Sequence, residues 1–409
     1  MELGELCDLI VDCEHKTAPR QETGYPSIRT PNIGRGYFIL DGVNRVSEET
    51  YRLWTRRAIP KPGDLIMARE APVGNIAIIP PGLHPCLGQR TLLIRCNKAK
   101  AEPSFICYLL NGPQVQATIF GMTNGATVPH LNMKDVRTLP IPEIPPLPTQ
   151  RKIASILSAY DHLIENNLRR IKILEEMAQN LYREWFIKFR FPGHEHARFV
   201  ESPLGMIPEG WEVKRLDQIV SFQNRGTCAG EHLSDCVYLP IDCIPRKSLA
   251  ISETRSWKEA KSSLHLFDEG DILFGAMRPY FHKVVVAPFK GVTRKTCFVF
   301  KSILPEYHTF SILTLFQDST VAFANAHSKG ATIPYAVWPQ AMDGMPVVVP
   351  SIDQANKFEE VVGPMLSRIG IIYFQNVNLR QTRDLLLPKL ISGEVDVSEL
   401  DIVFPEEVT

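Results

Sequence analysis

The 409 residues are enough for two or three domains with real cores, since one domain takes roughly 100 to 200 residues. Hydrophobic residues make up 44% and charged residues 22%, which is ordinary, and 45 basic side chains balance 45 acidic ones. That balance excludes a global field announcing nucleic acid, so any such partner has to be argued from local organisation.

No apolar run approaches the roughly 18 residues of a membrane span, and MELGELCD lacks the basic-then-apolar layout of a signal peptide. Cytoplasm is the expected location. The nine cysteines contain no C-x-x-C pair, and Cys228, Cys236 and Cys243 are spaced too widely and irregularly for zinc. They read as reduced structural thiols, and no metal site is expected.

In chain order, residues 1–148 mix short β-rich runs (NIAIIP, TLLIRC) with turn signals and the helical stretch SFICYLLNGPQVQATI, as a mixed α/β globule does. GATVP at 125 is followed by the Pro-rich LPIPEIPPLP and by Gln150. From 149 to 190 a heptad seam runs through Ile153, Leu157, Tyr160, Ile164, Asn167, Ile171, Leu174, Ala178, Leu181 and Trp185. His194 and His196 of PGHEH, in the polar stretch beyond that seam, read as a solvated linker.

Residues 203–350 repeat the globule, with KVVVAP and TCFVF as strands. Gly63-Asp64 returns as Gly270-Asp271, GATVP as GATIP, and Gln150 as Gln354, each about 205 residues later with only slight drift, which marks one duplicated unit. From 351 to 392 a second seam takes Phe358, Val362, Met365, Ile369, Ile372, Asn376, Leu379, Arg383, Leu386 and Leu390. The polar positions Asn167, Asn376 and Arg383 either fix register or mark where a third helix docks, and Pro388 is expected to kink or stop the helix. The GAT motifs read as domain exits, with Thr127 and Thr332 capping the next segment, and the Pro-rich runs as stiff connectors.

Each helix spans roughly 40 residues, on the order of 60 Å, and the short connection from 190 to 203 cannot carry the chain back. The expected fold class is α+β: two mixed α/β domains separated by two long antiparallel coiled-coil helices, a pseudo-twofold internal repeat. That symmetry suits a DNA duplex and equally a scaffold pairing two protein copies through its helices.

Catalytic motifs are missing from the sequence. There is no G-x-x-x-x-G-K-[ST], G-x-S-x-G, H-E-x-x-H or G-x-G-x-x-G. The Pro-Pro pairs at 80 and 145 lack the polar and aromatic neighbours that an adenine-amino methyltransferase places around a flipped base. Glu209, Glu212 and Lys214 are too close in sequence for a metal nuclease and read as a strand opening at a domain entrance.

The stretch LPIPEIPPLPTQRKIASILSAYDHLIENNLRRIKILEEMAQNLYREWF at 139–186, LGMIPEGWEVKRL at 204–216 and LRQTRDLLLPKLISGEV at 379–395 together resemble the specificity subunit of type I restriction-modification enzymes, across essentially the whole chain. The resemblance implies two target recognition domains, 1–148 and 203–350, each reading half of a split double-stranded DNA sequence. It implies that the spacer helices, 149–190 and 351–392, set the gap and dock two modification (methyltransferase) subunits, which restriction (motor and nuclease) subunits join. S-adenosylmethionine, ATP and Mg²⁺ would be bound by those partners, and this chain would be non-catalytic, with no cofactor of its own.

Cations and small polar groups hold phosphates, while side chains reaching the major groove read bases. The candidates in the first domain are His15, Lys16, Thr17 and Arg20, then Arg29, Arg35, Arg69 and Arg90; those in the second are Arg225, Thr227, Arg278, Tyr280, Lys283, Arg294 and Lys295. Arg278 stands out because Pro279 stiffens its loop and Tyr280 offers a stacking face. Arg52, Arg56, Arg57 and Lys61 face either phosphates or water.

Overall fold

The computed structural model describes residues 1–124, 129–261 and 263–402. It divides into one unit of Met1–Leu163 joined by the chain from Leu379 onward, and a second of Ile164–Asn378.

The first unit opens with β1 (Cys7–Asp12), β2 (Tyr25–Ile28), β3 (Arg45–Val46) and α1 (Glu48–Trp54), whose N-cap Ser47 accepts from Thr50 N–H. Next come β4 (Leu65–Ala68), β5 (Ile76–Ile78), β6 (Cys86–Leu87) and β7 (Thr91–Cys96), then the helices α2 (Pro103–Asn111), α3 (Pro113–Gly121) and α4 (Met133–Arg137). The first helical stretch is broken in two because Gly112-Pro113 ends one helix and Pro113 opens the next.

Strands β1-β7-β4-β5 form an antiparallel sheet, and β3-β2-β6 a smaller one. All of β4 is buried, and its alternation divides the core: Leu65 and Met67 pack toward α2 and α3, while Ile66 and Ala68 pack among Ile28, Ala77 and Leu93.

Helix α5 (Leu147–Tyr182) begins in this unit and continues into the second. β8 (Phe199–Ser202) and β9 (Gly205–Pro208) then make a hairpin, and β10 (Glu212–Arg215) comes next, at the position read as a strand opening. The second globule continues with β11 (Val220–Phe222), β12 (Gly226–Cys228), β13 (Val237–Tyr238), β14 (Arg255–Ser256), β15 (Ser263–Phe267), β16 (Ile272–Gly275), β17 (Val284–Val286), β18 (Gly291–Arg294) and β19 (Cys297–Ser302). It closes with α6 (His308–Leu315), α7 (Asp318–Ala326), β20 (Ser328–Lys329), β21 (Tyr335–Ala336), β22 (Pro346–Val349) and the long α8 (Ile352–Ser392).

The sheet β11-β19-β16-β17 repeats β1-β7-β4-β5 strand for strand. The second sheet, β12-β15-β18-β13-β14, repeats β6-β2-β3 in β18-β13-β14, including one parallel pair, and adds β15 and β12 at its edge. The duplicated Gly-Asp is one turn built twice. Gly63 and Gly270 stand at φ +86° and +84°, and the Asp64 and Asp271 carboxylates each accept the N–H three residues back at 2.8 Å.

Every seam position is buried or half-buried. In the first unit Ile153, Ala154 and Leu157 share a core with Leu390, and Asp161 holds Arg383. In the second, Ile171 packs with Ile369 and Ile372, and Asn167 binds Asn376. Residue numbers rise along one helix as they fall along the other, so both segments pair antiparallel, and the polar positions face each other rather than an outside helix.

Three expectations are corrected. The first helix is regular only to Tyr182; a π-helical turn, Arg183–Ile187, comes after it and lets the adjacent rings of Trp185 and Phe186 both enter the aromatic core around Phe358. Pro388 does not stop α8, because buried Leu390 anchors one further turn and the end comes at Ser392, before Gly393 at φ +76°. GATIP is no domain exit: it is the tip of the β20–β21 hairpin inside the globule, and a strand, not a helix, comes after Thr332. Gly125–Val128, including Thr127, lie outside the described residues.

The connectors are paired backbone. Leu3 donates to Leu139 at 3.0 Å and Ile141 to Met1 at 2.8 Å, while β22 is held by a full antiparallel ladder to β10. Gln150 is 1% exposed and pins the start of α5, accepting from Glu102 N–H at 2.9 Å and donating to Pro145 O at 2.9 Å.

Candidate nucleic-acid interface

In both units the chain leaves the strand at the middle of the main sheet by the same braced loop. After β4, Arg69 N–H donates to Arg90 O (2.9 Å), Leu131 N–H donates to Arg69 O (3.1 Å), and Glu70 bridges His130. After β16, Ala276 N–H donates to Thr296 O (2.8 Å), Ala336 N–H donates to Ala276 O (2.9 Å), and Met277 bridges Tyr335. Ala71 at φ +40° precedes Pro72 at the place where Arg278 at φ +52° precedes Pro279. The brace is thus shared, but its side chains are not: Arg69-Glu70-Ala71 in one copy, Ala276-Met277-Arg278 in the other.

Left-handed backbone in non-glycine residues costs about 1 kcal/mol or more and persists only where surroundings impose it. Here it gathers at this loop and its neighbours: Ala71 and Arg90 in the first unit, Lys247, Arg278 and His282 in the second. Lys247 N–H donates to His282 O at 2.8 Å, tying the Arg246-Lys247 loop to the Arg278 loop.

The first unit brings His15, Arg29, Arg69 and Arg90 to this place. His15 and Arg69 share the Asp12 carboxylate at 2.9 and 2.8 Å, and Arg90 meets Glu70 at 2.9 Å. Arg69 is turned inward, its Nε donating to Leu131 O at 2.8 Å, so its donors serve the protein. Gln89 holds His15 O at 3.2 Å, and exposed Arg29 lies over Gly88. Lys16 and Thr17 are exposed on the His15 loop, which Trp54 pins through Lys16 O at 3.4 Å. Arg20 and Arg35, both exposed, sit elsewhere, on the turns beside β3 and β5. Of the basic cluster, Arg56 pairs with Glu14 (2.9 Å) and Arg57 donates to Cys13 O (3.2 Å).

Asp12, Cys13 and His15 place ligand-type atoms within 4.8 Å of one another. The Asp12 carboxylate there already neutralises Arg69, and burial pushes the Cys13 thiol up, away from the thiolate that a metal requires.

In the second unit Arg278 N–H donates to Pro334 O at 2.8 Å, and half-exposed Tyr280 stacks edge-on against Phe281. Lys295 and Arg294 are exposed beside Thr296, and Thr227, bonded to His232 at 3.0 Å, lies across from Leu264, the partner of Arg294. Two candidates point away. Lys283 donates to Ile241 O at 2.7 Å, and burial lowers its pKa; Arg225 binds Asp268 (2.8 Å) and Asp271 (3.3 Å) at the opposite end of β16.

Sequence reading missed Arg246 and Lys247. The Arg246 guanidinium lies 3.9 Å over the Phe281 ring, and Lys247 reaches Asp318 at 3.4 Å. It also missed what holds their loop. Buried Glu175 of α5 accepts from Ser248 Oγ (2.7 Å), Leu249 N–H (2.7 Å) and Ala250 N–H (3.1 Å). A carboxylate at a heptad flank gave no hint of this, because its donors lie 73 to 75 residues away.

Residues 1–176 match the family model for the type I restriction modification DNA specificity domain. The chain is 27% identical over 373 residues to the type I restriction enzyme MjaIX specificity subunit of Methanocaldococcus jannaschii, covering 89% of this chain and 84% of that one. It is 35% identical over 230 residues to a putative MjaX specificity subunit of the same organism, covering 53% and 51%. The crystal structure of the type I restriction-modification S subunit from M. genitalium superposes with a TM-score of 0.57 at 14% identity, over 96% and 95% of the two chains, and so shares the fold.

Residues 1–176 thus carry a type I restriction modification DNA specificity domain, and nearly the whole chain is similar to type I specificity subunits. No helix among the described residues is long and apolar enough to cross a membrane.

Proposed function

We propose that each globule reads one half of a bipartite double-stranded target in the cytoplasm, and that α5 and α8 set the gap between the halves. The helices also dock two modification subunits, which restriction subunits join; S-adenosylmethionine, ATP and Mg²⁺ are bound by those partners. One observation carries the reading. The loop after the central strand is braced in the same way in both units, yet presents Arg278 in one where the other has Ala71. A common frame with different side chains is the arrangement for reading two different sequences by base-edge contacts.

Supporting cations are exposed around each loop: Lys16 and Arg29 in the first unit, Arg294 and Lys295 in the second. The test is methylation by purified modification subunit and S-adenosylmethionine, with and without this chain. Addition of the chain is expected to confine methylation to one split sequence; methylation that stays sequence-blind overturns the reading.

A further inference from the structure

GAT-[VI]-P is written in both repeats, while the loop beside it differs between them. An exposed feature kept constant between two globules that read different bases is suited to meet what the two half-sites share, and the shared part of any duplex is its sugar-phosphate backbone.

In the second unit this pentapeptide forms the tip between β20 and β21. Gly330 stands at φ +97°, and a Cβ there would come within 2.7 Å of Ile333 O, so the tight turn requires glycine. Gly330, Ala331, Thr332 and Ile333 are all exposed, and among the described residues nothing accepts from their N–H groups. Lys329, one residue before the turn, is exposed and makes no ion pair among the described residues. Small side chains, free amides, a hydroxyl and one ammonium are the ligand set of a phosphate, and the absence of bulk lets the chain approach closely.

The tip is rigidly placed. Arg278 N–H donates to Pro334 O at 2.8 Å, Met277 bridges Tyr335, and Ala336 N–H donates to Ala276 O at 2.9 Å. A phosphate held at the tip therefore fixes the distance from the backbone to the Arg278 loop.

We propose that the hairpin tip Lys329–Ile333 grips a DNA phosphate through the Lys329 ammonium, the Thr332 hydroxyl and the free amides, and thereby registers Arg278 against the base edges. The inference rests on the DNA-reading assignment above and deepens it: the tip contributes affinity without sequence preference, and Arg278 contributes preference.

The experiment uses the full chain assembled with its modification subunits. Binding is measured by fluorescence anisotropy over a salt series on two duplexes, one carrying the site the complex methylates and one in which the half-site read by the second globule is scrambled. Lys329→Ala is expected to weaken both by the same several-fold factor and to lower the slope of log K against log salt by about 0.9, the value for one phosphate. Thr332→Val is expected to weaken both equally with the slope unchanged, and Arg278→Ala to weaken the methylated site far more than the scrambled one. A Lys329→Ala complex with wild-type slope and affinity, or one whose loss is confined to the methylated site, overturns the phosphate grip while leaving the DNA-reading assignment standing. A wild-type complex that binds both duplexes alike overturns both.

Discussion

Asn167 donates its side-chain N–H to the side-chain carbonyl of Asn376 at 2.9 Å, with both residues buried among seam positions that are otherwise apolar in the second unit. A buried amide pair of this kind gains little net stability, yet leaving one member alone exposes an orphaned polar group to hydrocarbon.

Asn167→Leu alone is therefore expected to destabilise the second unit by about 1–3 kcal/mol. The double replacement Asn167→Leu with Asn376→Leu recovers most of that loss. Urea denaturation of the four members of the cycle measures the coupling, and additive single losses would show that the amides act independently.

Glu175 gives a pH-dependent case. Its pKa is raised above the ordinary value of 4.5, first by burial, against the lowering effect of the Ser248, Leu249 and Ala250 donors. A carboxyl whose folded pKa lies above its unfolded one contributes stability that is complete below the unfolded value and fades as pH rises through the folded one. Wild type is thus expected to gain stability over Glu175→Gln as pH falls from neutral toward 4.5, as melting curves will show. At pH 7, Glu175→Ala is expected to cost about 2–4 kcal/mol, since buried donors lose their acceptor.

Arg278→Ala is expected to relax preference at one base pair of one half-site, a discrimination worth about 1–3 kcal/mol. Mapping of methylated sites in DNA treated with the variant complex reads this out. Equal loss at every position would mean that Arg278 holds the backbone instead.

Replacing residues 1–148 by the same region of another specificity subunit is expected to alter one half of the target and leave the other. Site mapping again decides, and a change in both halves would contradict independent reading.

Much of this is legible from periodicity and self-similarity, because both are local. The heptad positions from Ile153 to Trp185 and from Phe358 to Leu390 are all buried or half-buried, and the Gly-Asp turn recurs with matching hydrogen bonds. What escapes depends on distant partners. Arg69, Lys283 and Arg225 look like free cations in sequence, but their acceptors at Asp12, Ile241 and Asp268 come from elsewhere in the chain. GATIP resembles an exit because Gly and Pro punctuate turns of every kind; only the bridge between Met277 and Tyr335 at its far side shows it to be interior to the globule. Pro388 looks like a helix stop because anchorage of the last turn by Leu390 is a tertiary effect.

The grip of Glu175 on residues 248–250 bears on how this protein can be cut. A fragment beginning at 203 would keep nearly every strand of the second globule and still lose the acceptor that tethers the Arg246-Lys247 finger, leaving buried donors bare. Anyone isolating that globule for titration with oligonucleotides should start upstream, near Ile164, where the compact unit itself begins.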